Sequence, residues 1–104
     1  MTMKYKLRYR STYDKDVAEV MHYIKNNLRN PAAARQLFEE MNKAIASRLS
    51  APLSFEPYYS KKERKRPYYK IRVKNYVIFY VVIDDYMELR RFVYNRRNIE
   101  NLIY

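Results

Sequence analysis

The stretch that decides the fold is residues 68–97, YYKIRVKNYVIFYVVIDDYMELRRFVYNRR. Apolar and β-branched residues dominate it, and two short polar pairs, Lys74-Asn75 and Asp84-Asp85, interrupt it as turns. The middle segment between these turns is almost wholly apolar, which indicates a central strand buried on both faces of a sheet. We therefore predict three successive strands, Lys70–Lys74, Tyr76–Ile83 and Met87–Tyr94.

The first of these strands has two chemically different sides. Successive side chains of a strand point to opposite faces, so the apolar residues at alternate positions from Tyr69 to Val73 share one face. The opposite face receives the basic side chains of Lys70, Arg72 and Lys74. This pattern predicts an apolar side that packs in the core and a cationic side that can bind a polyanion.

The N-terminal half predicts a strand followed by a helical hairpin. Residues Lys4–Tyr9 alternate between basic and apolar side chains, which is typical of a strand with one solvated face. Apolar residues then follow at helical spacing, and we expect a first helix from about Tyr13 to Leu28, with Ser11 or Thr12 as its N-cap. A second helix is predicted to begin at Asn30-Pro31, because Asn caps well and Pro is tolerated at the first helical position.

The remaining segments complete an α+β fold. Ala51 to Pro67 combines three prolines with a dense run of charge, which predicts a loop. Apolar residues after Asn98 suggest a short C-terminal helix. We expect an N-terminal strand and an antiparallel helical hairpin packed on a mainly antiparallel β-sheet, in the order β-α-α-β-β-β. The length fits a single domain over residues 1–104.

Composition indicates a polyanionic partner. The chain has 104 residues, with 22 Lys and Arg against 11 Asp and Glu, and a formal charge of +11 at pH 7. Such an excess of positive charge calls for RNA, DNA or an acidic protein as its counterpart.

Several chemistries are excluded by what the sequence lacks. Without Cys there is no disulfide, thiol nucleophile or cysteine zinc site, and one His cannot form a histidine metal cluster. Without Gly there is no phosphate-binding loop or dinucleotide fingerprint. We therefore expect no cofactor and a metal-free mechanism. The N-terminus lacks a secretion signal, and no apolar run approaches the roughly 20 residues that span a bilayer, which predicts a cytoplasmic protein without membrane contact.

The basic loop and the cationic strand beside it contain the candidate nucleic-acid contacts. A charged loop is often only solvated, but here the charge is not balanced nearby, which favours binding. The strand residues fit an ordinary polar sheet face equally well, although a rigid strand holds them in fixed relation. Arg96-Arg97 suits a phosphate, because forked guanidinium groups donate parallel hydrogen bonds. The candidate nucleic-acid-binding residues are Lys61, Lys62, Arg64, Lys65, Arg66, Lys74 and Arg96.

Tyrosine is abundant, with 13 residues in the chain. Most tyrosines are explained as strand or core residues, because aromatic side chains favour the pleated, half-buried surface of a sheet. Those close in sequence to the cationic residues can stack on an unpaired base. These candidates are Tyr68, Tyr69, Tyr94 and Tyr104.

The order of these motifs resembles the RelE/ParE toxin superfamily of bacterial type II toxin–antitoxin modules, and the resemblance covers nearly the whole chain. The matching segments are Asn30-Pro31-Ala-Ala-Ala34, Tyr69-Lys-Ile-Arg72, Tyr76-Val-Ile-Phe-Tyr80, Asp84-Asp85 and Tyr94-Asn-Arg-Arg97. RelE-like members cut mRNA in the ribosomal A site without a metal, whereas ParE-like members inhibit DNA gyrase. One fold serves both activities.

The resemblance implies a toxin that inhibits translation by ribosome-dependent mRNA cleavage. The residues that match RelE-like catalytic positions are Lys70, Arg72 and Arg97, and Tyr104, one residue beyond the position of the RelE terminal tyrosine, takes the role of that tyrosine. They imply attack of a substrate 2′-OH on the adjacent phosphate: Lys70 or Arg72 assists deprotonation or holds the phosphate, Arg97 stabilises the developing charge, and Tyr104 stacks on the base. The RelE pattern has a further arginine after the tyrosine that opens the central strand, where this chain has Val77.

The same resemblance implies partners. A cognate acidic antitoxin would form a heteromeric complex with the chain, and the target would be the ribosome and its mRNA. Two alternatives stay open at the level of sequence. One is a ParE-like inhibitor of DNA gyrase, and the other is a non-catalytic RNA-binding protein whose binding is tight and salt-sensitive.

Overall fold

The fold is a four-stranded sheet with both helices on one face, in a computed structural model that describes residues 4–58 and 66–95. The strands lie in the order β1-β4-β3-β2, with β1 parallel to β4 and the other pairs antiparallel. The elements in chain order are β1 (Lys6–Tyr9), α1 (Ser11–His22), a π-helical turn (Tyr23–Asn27), α2 (Pro31–Leu49), β2 (Tyr69–Val73), β3 (Tyr76–Ile83) and β4 (Tyr86–Tyr94). The predicted α+β class and element order are confirmed.

Strand β3 is central and buried on both faces, as its sequence predicts. Ile78 and Tyr80 face the helices and share a core with Leu37 and Met41 of α2. The alternate residues of β3 belong to a second, smaller core on the other side of the sheet. We call that opposite side the outer face.

Several predicted strand limits are corrected by one or two residues. β1 begins at Lys6 and not at Lys4, because its pairing with β4 begins there. β2 covers Tyr69–Val73, since Lys74 adopts a left-handed conformation with φ 53° in the turn to β3. A second turn, at Asp84, has φ 55°. These turns place Lys and Asp where Gly is the usual residue, in a chain that has no Gly.

Helix α1 begins earlier than predicted and without the predicted cap. Its N-cap is Arg10, an extended residue whose N–H donates to the carbonyl of Leu89 and so continues the β1–β4 ladder. Thr12, one of the two predicted caps, instead donates its hydroxyl to the carbonyl of Arg90 at 2.8 Å. β1 therefore continues into α1 with only Arg10 between them, and Thr12 attaches the start of α1 to β4.

The first helical segment ends differently from the prediction, and the second begins as predicted. The α-helical part of the first segment stops at His22, and the π-helical turn follows, closed by a bond of 3.1 Å from the N–H of Leu28 to the carbonyl of Tyr23. At the start of α2 the side chain of Asn30 accepts from the N–H of Ala33 at 3.0 Å, and Pro31 occupies the first position. The predicted Asn-Pro start is confirmed.

One carboxylate completes the edge of β4. β1 pairs with β4 only as far as Leu89, and among the described residues no strand pairs with the second half of β4 on that side. Asp16 of α1 accepts the N–H of Phe92 at 3.0 Å and two hydrogen bonds from the guanidinium of Arg91, at 2.6 and 3.0 Å. Its side chain is only 13% exposed. Asp16 thus supplies a hydrogen-bond acceptor at this edge and fixes α1 against the sheet.

Residues 51–58, the described part of the segment directly after α2, form a loop, as predicted, and this part is anchored to the sheet. The hydroxyl of Tyr80 donates to the carbonyl of Pro52 at 2.8 Å. Arg48 lies over the ring of Phe55, 3.5 Å from its centroid. An isolated bridge pairs Tyr58 with Tyr68.

We predict that Asp16→Ala lowers the free energy of unfolding by about 2–4 kcal/mol, because it leaves a buried N–H and a partly buried guanidinium without their acceptor. Asp16→Asn should cost less, since its amide oxygen still accepts from Phe92. Urea denaturation followed by circular dichroism measures both. Asp14→Ala, an exposed carboxylate in the same helical turn, is the control and should cost less than about 1 kcal/mol. Equal losses at Asp14 and Asp16 would contradict the assignment.

Candidate functional site

The outer face of the sheet is the candidate functional surface, because its two edges are basic. Strand alternation places Lys70 and Arg72 of β2 on this face, as predicted, and both are exposed. At the opposite edge β1 places Arg8 on the same face, where it pairs with Glu88 of β4. Between the two edges lies the second core.

The β2 edge holds its two cations on an anchored backbone. Arg48 at the end of α2 donates to the carbonyl of Lys70 at 3.1 Å and to the hydroxyl of Tyr80 at 3.0 Å. The ammonium of Lys70 lies 5.5 Å from the centroid of the Tyr58 ring, within the range of a cation–π contact. The predicted pair of Lys70 and Arg72 is therefore presented on a rigid strand.

The centre of the outer face is apolar and closed. Val77, Phe79 and Val81 of β3 are all buried, and Val77 is only 1% exposed. The rings of Tyr58 and Tyr68 pack on Phe79, with centroids at 5.4 and 6.2 Å. At the position where the RelE-like pattern has an arginine, the side chain is thus part of a hydrophobic core.

Three of the tyrosines predicted to stack on bases lie elsewhere. Tyr68 is buried, and its hydroxyl accepts from Arg90 at 3.4 Å. Tyr69 is buried on the helix side, where it stacks on Tyr80 at 5.4 Å. Tyr94 is partly exposed but meets Tyr76 edge-on at 5.5 Å, away from the outer-face cations. The prediction that Tyr68 and Tyr69 stack on bases is corrected, because both rings are buried in the two cores. Alternation along the strand does not by itself reveal this burial.

The remaining predicted residues divide into two groups. Lys74 does not share the face of Lys70, because its turn directs it to Glu40 of α2, with 3.4 Å between the charged groups. Arg66 is exposed. The others lie outside the described residues: Lys61, Lys62, Arg64, Lys65, Arg96, Arg97, Tyr104 and the C-terminal helix expected after Asn98. For these the sequence-based expectations stand as predictions.

Sequence reasoning missed a charged cluster at the β1 edge. Glu88 is 4% exposed and is the one charged residue that is buried among those the structure describes. Its carboxylate accepts from Nε of Arg8 at 2.9 Å and from Nε of Arg90 at 2.8 Å, and Arg10 lies 3.9 Å away. We call Glu88, Arg8, Arg10 and Arg90 the Glu88 cluster.

The arginines determine the protonation state of this buried carboxylate. Burial by itself raises the pKa of Glu88, but hydrogen bonds from Arg90 and Arg8 outweigh burial and hold its pKa below the ordinary value of 4.5. Glu88 is therefore ionised at neutral pH, and three cations surround one anion.

The helix side carries two apolar clefts. One, of about 510 Å³, lies between the hairpin and β1 and includes Tyr9, Tyr13 and Phe38 in its lining. The other, of about 540 Å³, lies at the end of β4 beside Tyr23 and Leu28. Phe38 is 46% exposed, and Tyr9, Tyr23 and Leu28 are similarly open to solvent. Exposed apolar residues grouped at clefts are typical of protein-binding surfaces.

Within residues 4–58 and 66–95 the structure has no group of three or more side chains suited to holding a metal ion. In the same part of the chain no helix combines the length and apolar character needed to cross a bilayer.

Comparisons with known proteins agree with this geometry. The sequence profile of a family described as "ParE toxin of type II toxin-antitoxin system, parDE" matches residues 7–99. A solved structure titled "Chromosomal ParDE TA system from P. aeruginosa" superposes with a TM-score of 0.69 at 10% sequence identity, over 88% of this chain and 97% of that one. At this identity the likeness is one of fold. No curated protein matched the sequence significantly.

The lowered pKa of Glu88 predicts a pH-dependent stability difference. At pH values between the pKa of Glu88 in the folded chain and 4.5, the unfolded chain binds more protons than the folded one. The contribution of ionised Glu88 to the free energy of unfolding is therefore present above pH 4.5 and is lost as the pH falls through the lower pKa of the folded chain. We expect Glu88→Gln to lower the melting temperature at about pH 7 and the difference from wild type to narrow below about pH 4.5. Thermal denaturation at a series of pH values tests this. Glu39→Gln, an exposed carboxylate, is the control; a pH-independent difference for Glu88→Gln would contradict the interpretation.

Proposed function

Because the chain belongs to the ParE toxin family of type II toxin–antitoxin systems, we propose that it is the toxin of such a module and that it arrests growth by inhibiting DNA gyrase. The observation that carries the choice of target is the burial of Val77. In the RelE-like pattern the corresponding residue is basic and contacts the phosphate. Here that position is filled by a core side chain, which phosphate cannot reach.

The described part of the outer face supports a binding function more than a nuclease one. Metal-free cleavage needs several groups converging on one phosphate, to position the nucleophile and stabilise the developing charge. Of the four predicted catalytic residues, Lys70 and Arg72 lie in the described region, and they flank an apolar surface. Inhibition of an enzyme by binding requires complementary contacts and no such convergence.

A second function, ribosome-dependent mRNA cleavage, is favoured by one observation. Lys70 and Arg72 lie at alternate positions of a strand whose backbone is held by Arg48, which is the fixed geometry that a pair of phosphate-holding residues requires. In that function Arg97 and Tyr104 would complete the site. A non-catalytic RNA-binding protein would use the same cations without arresting growth.

The proposed antitoxin is acidic and presents apolar side chains. Its acidic residues would complement the formal charge of +11, and its apolar residues would enter the cleft between the hairpin and β1. Phe38, which lines that cleft, is an exposed aromatic residue that such a segment would cover.

We expect the purified chain to inhibit plasmid supercoiling by DNA gyrase. In a parallel cell-free translation reaction, primer extension on a reporter mRNA should show no cuts that depend on the ribosome. The antitoxin, added before the toxin, should restore supercoiling.

The opposite results would contradict the proposal that the chain inhibits DNA gyrase. Unimpaired supercoiling together with ribosome-dependent cuts that disappear in Arg97→Ala and in Lys70→Ala/Arg72→Ala would establish the second function. Tight RNA binding with neither effect, and no growth arrest on expression, would establish the third.

We predict that Phe38→Glu weakens antitoxin binding at least tenfold, because it places a charge where an apolar side chain of an acidic partner would pack. Isothermal titration with the protein encoded beside the toxin gene measures the effect. Gln36→Glu is the matched control, since it changes the charge equally at an exposed position on the same helix. If both variants weaken binding to the same extent, the effect is due to charge and the cleft is not the binding site.

A further inference from the structure

We propose that the Glu88 cluster is a binding site for the phosphodiester backbone of a nucleic acid, separate from the cations of β2. The cluster lies on β1 and β4, whereas Lys70 and Arg72 lie on β2 at the opposite edge of the sheet. Three strand spacings, or about 14 Å, separate β1 from β2. The inference does not depend on which cellular target the toxin has.

The Glu88 cluster contains three arginines around one carboxylate, which is more positive charge than Glu88 neutralises. Arg90 alone binds one carboxylate oxygen of Glu88 at 2.8 Å and also donates to the hydroxyl of Tyr68. Arg8 and Arg10 bring two further positive charges to the cluster, in a chain whose net charge is +11. Like charges held this close together repel one another, so this surplus favours binding of a further anion.

Arg8 has further N–H donors that can bind an anion. Among the residues that the structure describes, the Arg8 side chain donates only from its Nε, to Glu88, and its guanidinium lies over the ring of Tyr86 at 4.6 Å. The side chain of Arg8 is 43% exposed and that of Arg10 is 54% exposed. Glu88 and Tyr86 thus hold the Arg8 guanidinium in one orientation while the side chain stays partly open to solvent, an arrangement that suits a phosphate.

The cations at the β1 edge lie in a row. Lys6, Arg8 and Arg10 occupy alternate positions along β1 and its extension, so they share the outer face at intervals of about 6.6 Å. Lys6 is 65% exposed and lies 3.7 Å from Asp85, so the Coulomb contribution of that ion pair is weak. A linear row of cations on a fixed strand complements a partner whose negative charges also repeat along a line, such as a nucleic-acid strand.

Fluorescence anisotropy with a labelled DNA duplex and with a labelled single-stranded RNA of the same sequence tests the proposal on the full-length chain. We expect Arg8→Ala/Arg10→Ala to weaken binding of at least one probe roughly tenfold. For that probe the slope of log affinity against log salt should fall by about 1.8 if it is duplex DNA, or by about 1.4 if it is single-stranded RNA. Loss on the duplex alone or on RNA alone identifies the source of the phosphodiester; loss on both indicates backbone contact common to the two.

The control pair is Lys15→Ala/Lys25→Ala, which removes the same charge from exposed positions on the helical segment. If the control lowers affinity and salt slope equally, binding reflects net charge and the proposal fails. It also fails if neither probe is affected by Arg8→Ala/Arg10→Ala, including the case in which the double variant weakens only antitoxin binding. Should the double variant not fold, Arg10→Ala alone is used, because its 3.9 Å contact with Glu88 is the longest in the cluster. That single change should reduce the salt slope by about 0.9 for duplex DNA or by about 0.7 for single-stranded RNA, and a slope unchanged on both probes would overturn the proposal.

Discussion

Strand β4 extends beyond its parallel neighbour β1, and the rest of the structure depends on how its open edge is completed. An unpaired N–H in the interior is costly, and within residues 4–58 and 66–95 no strand pairs with the second half of β4 on that side, so another acceptor is needed there. Asp16 and Thr12 of α1 provide contacts along this edge. As a result α1 is attached to β4 by side chains, the hairpin is held over one face of the sheet, and the apolar clefts form beside it.

The two faces of the sheet bury different kinds of residue. On the helix side, aromatic and aliphatic residues of β3 and α2 form the larger core. On the outer face, a narrow apolar strip separates two basic edges, and a buried carboxylate lies within one of them. A buried charge is tolerated only with charged hydrogen-bond partners, so Glu88 requires its arginines. The outer face is consequently organised by electrostatics at its edge and by packing at its centre.

Membership of the ParE toxin family sets the limits within which this surface is interpreted. A shared fold supports different activities, and the difference lies in individual side chains. Val77 is such a position, because a buried valine continues the core where a basic residue would interrupt it. The Glu88 cluster is another, since it adds a basic region that the β2 residues alone do not suggest.

Local periodicity in the sequence determined the element order, the central position of β3, the Asn30-Pro31 helix start and the exposure of Lys70 and Arg72, because each depends on neighbouring residues. The tertiary structure alone decided the parallel pairing of β1 with β4, and that pairing brings Arg8 to Glu88 although 80 positions separate them in the chain. It also decided that both Tyr68 and Tyr69 are buried and that Lys74 turns toward Glu40. Such contacts depend on strand order and register, which alternation within one strand does not specify.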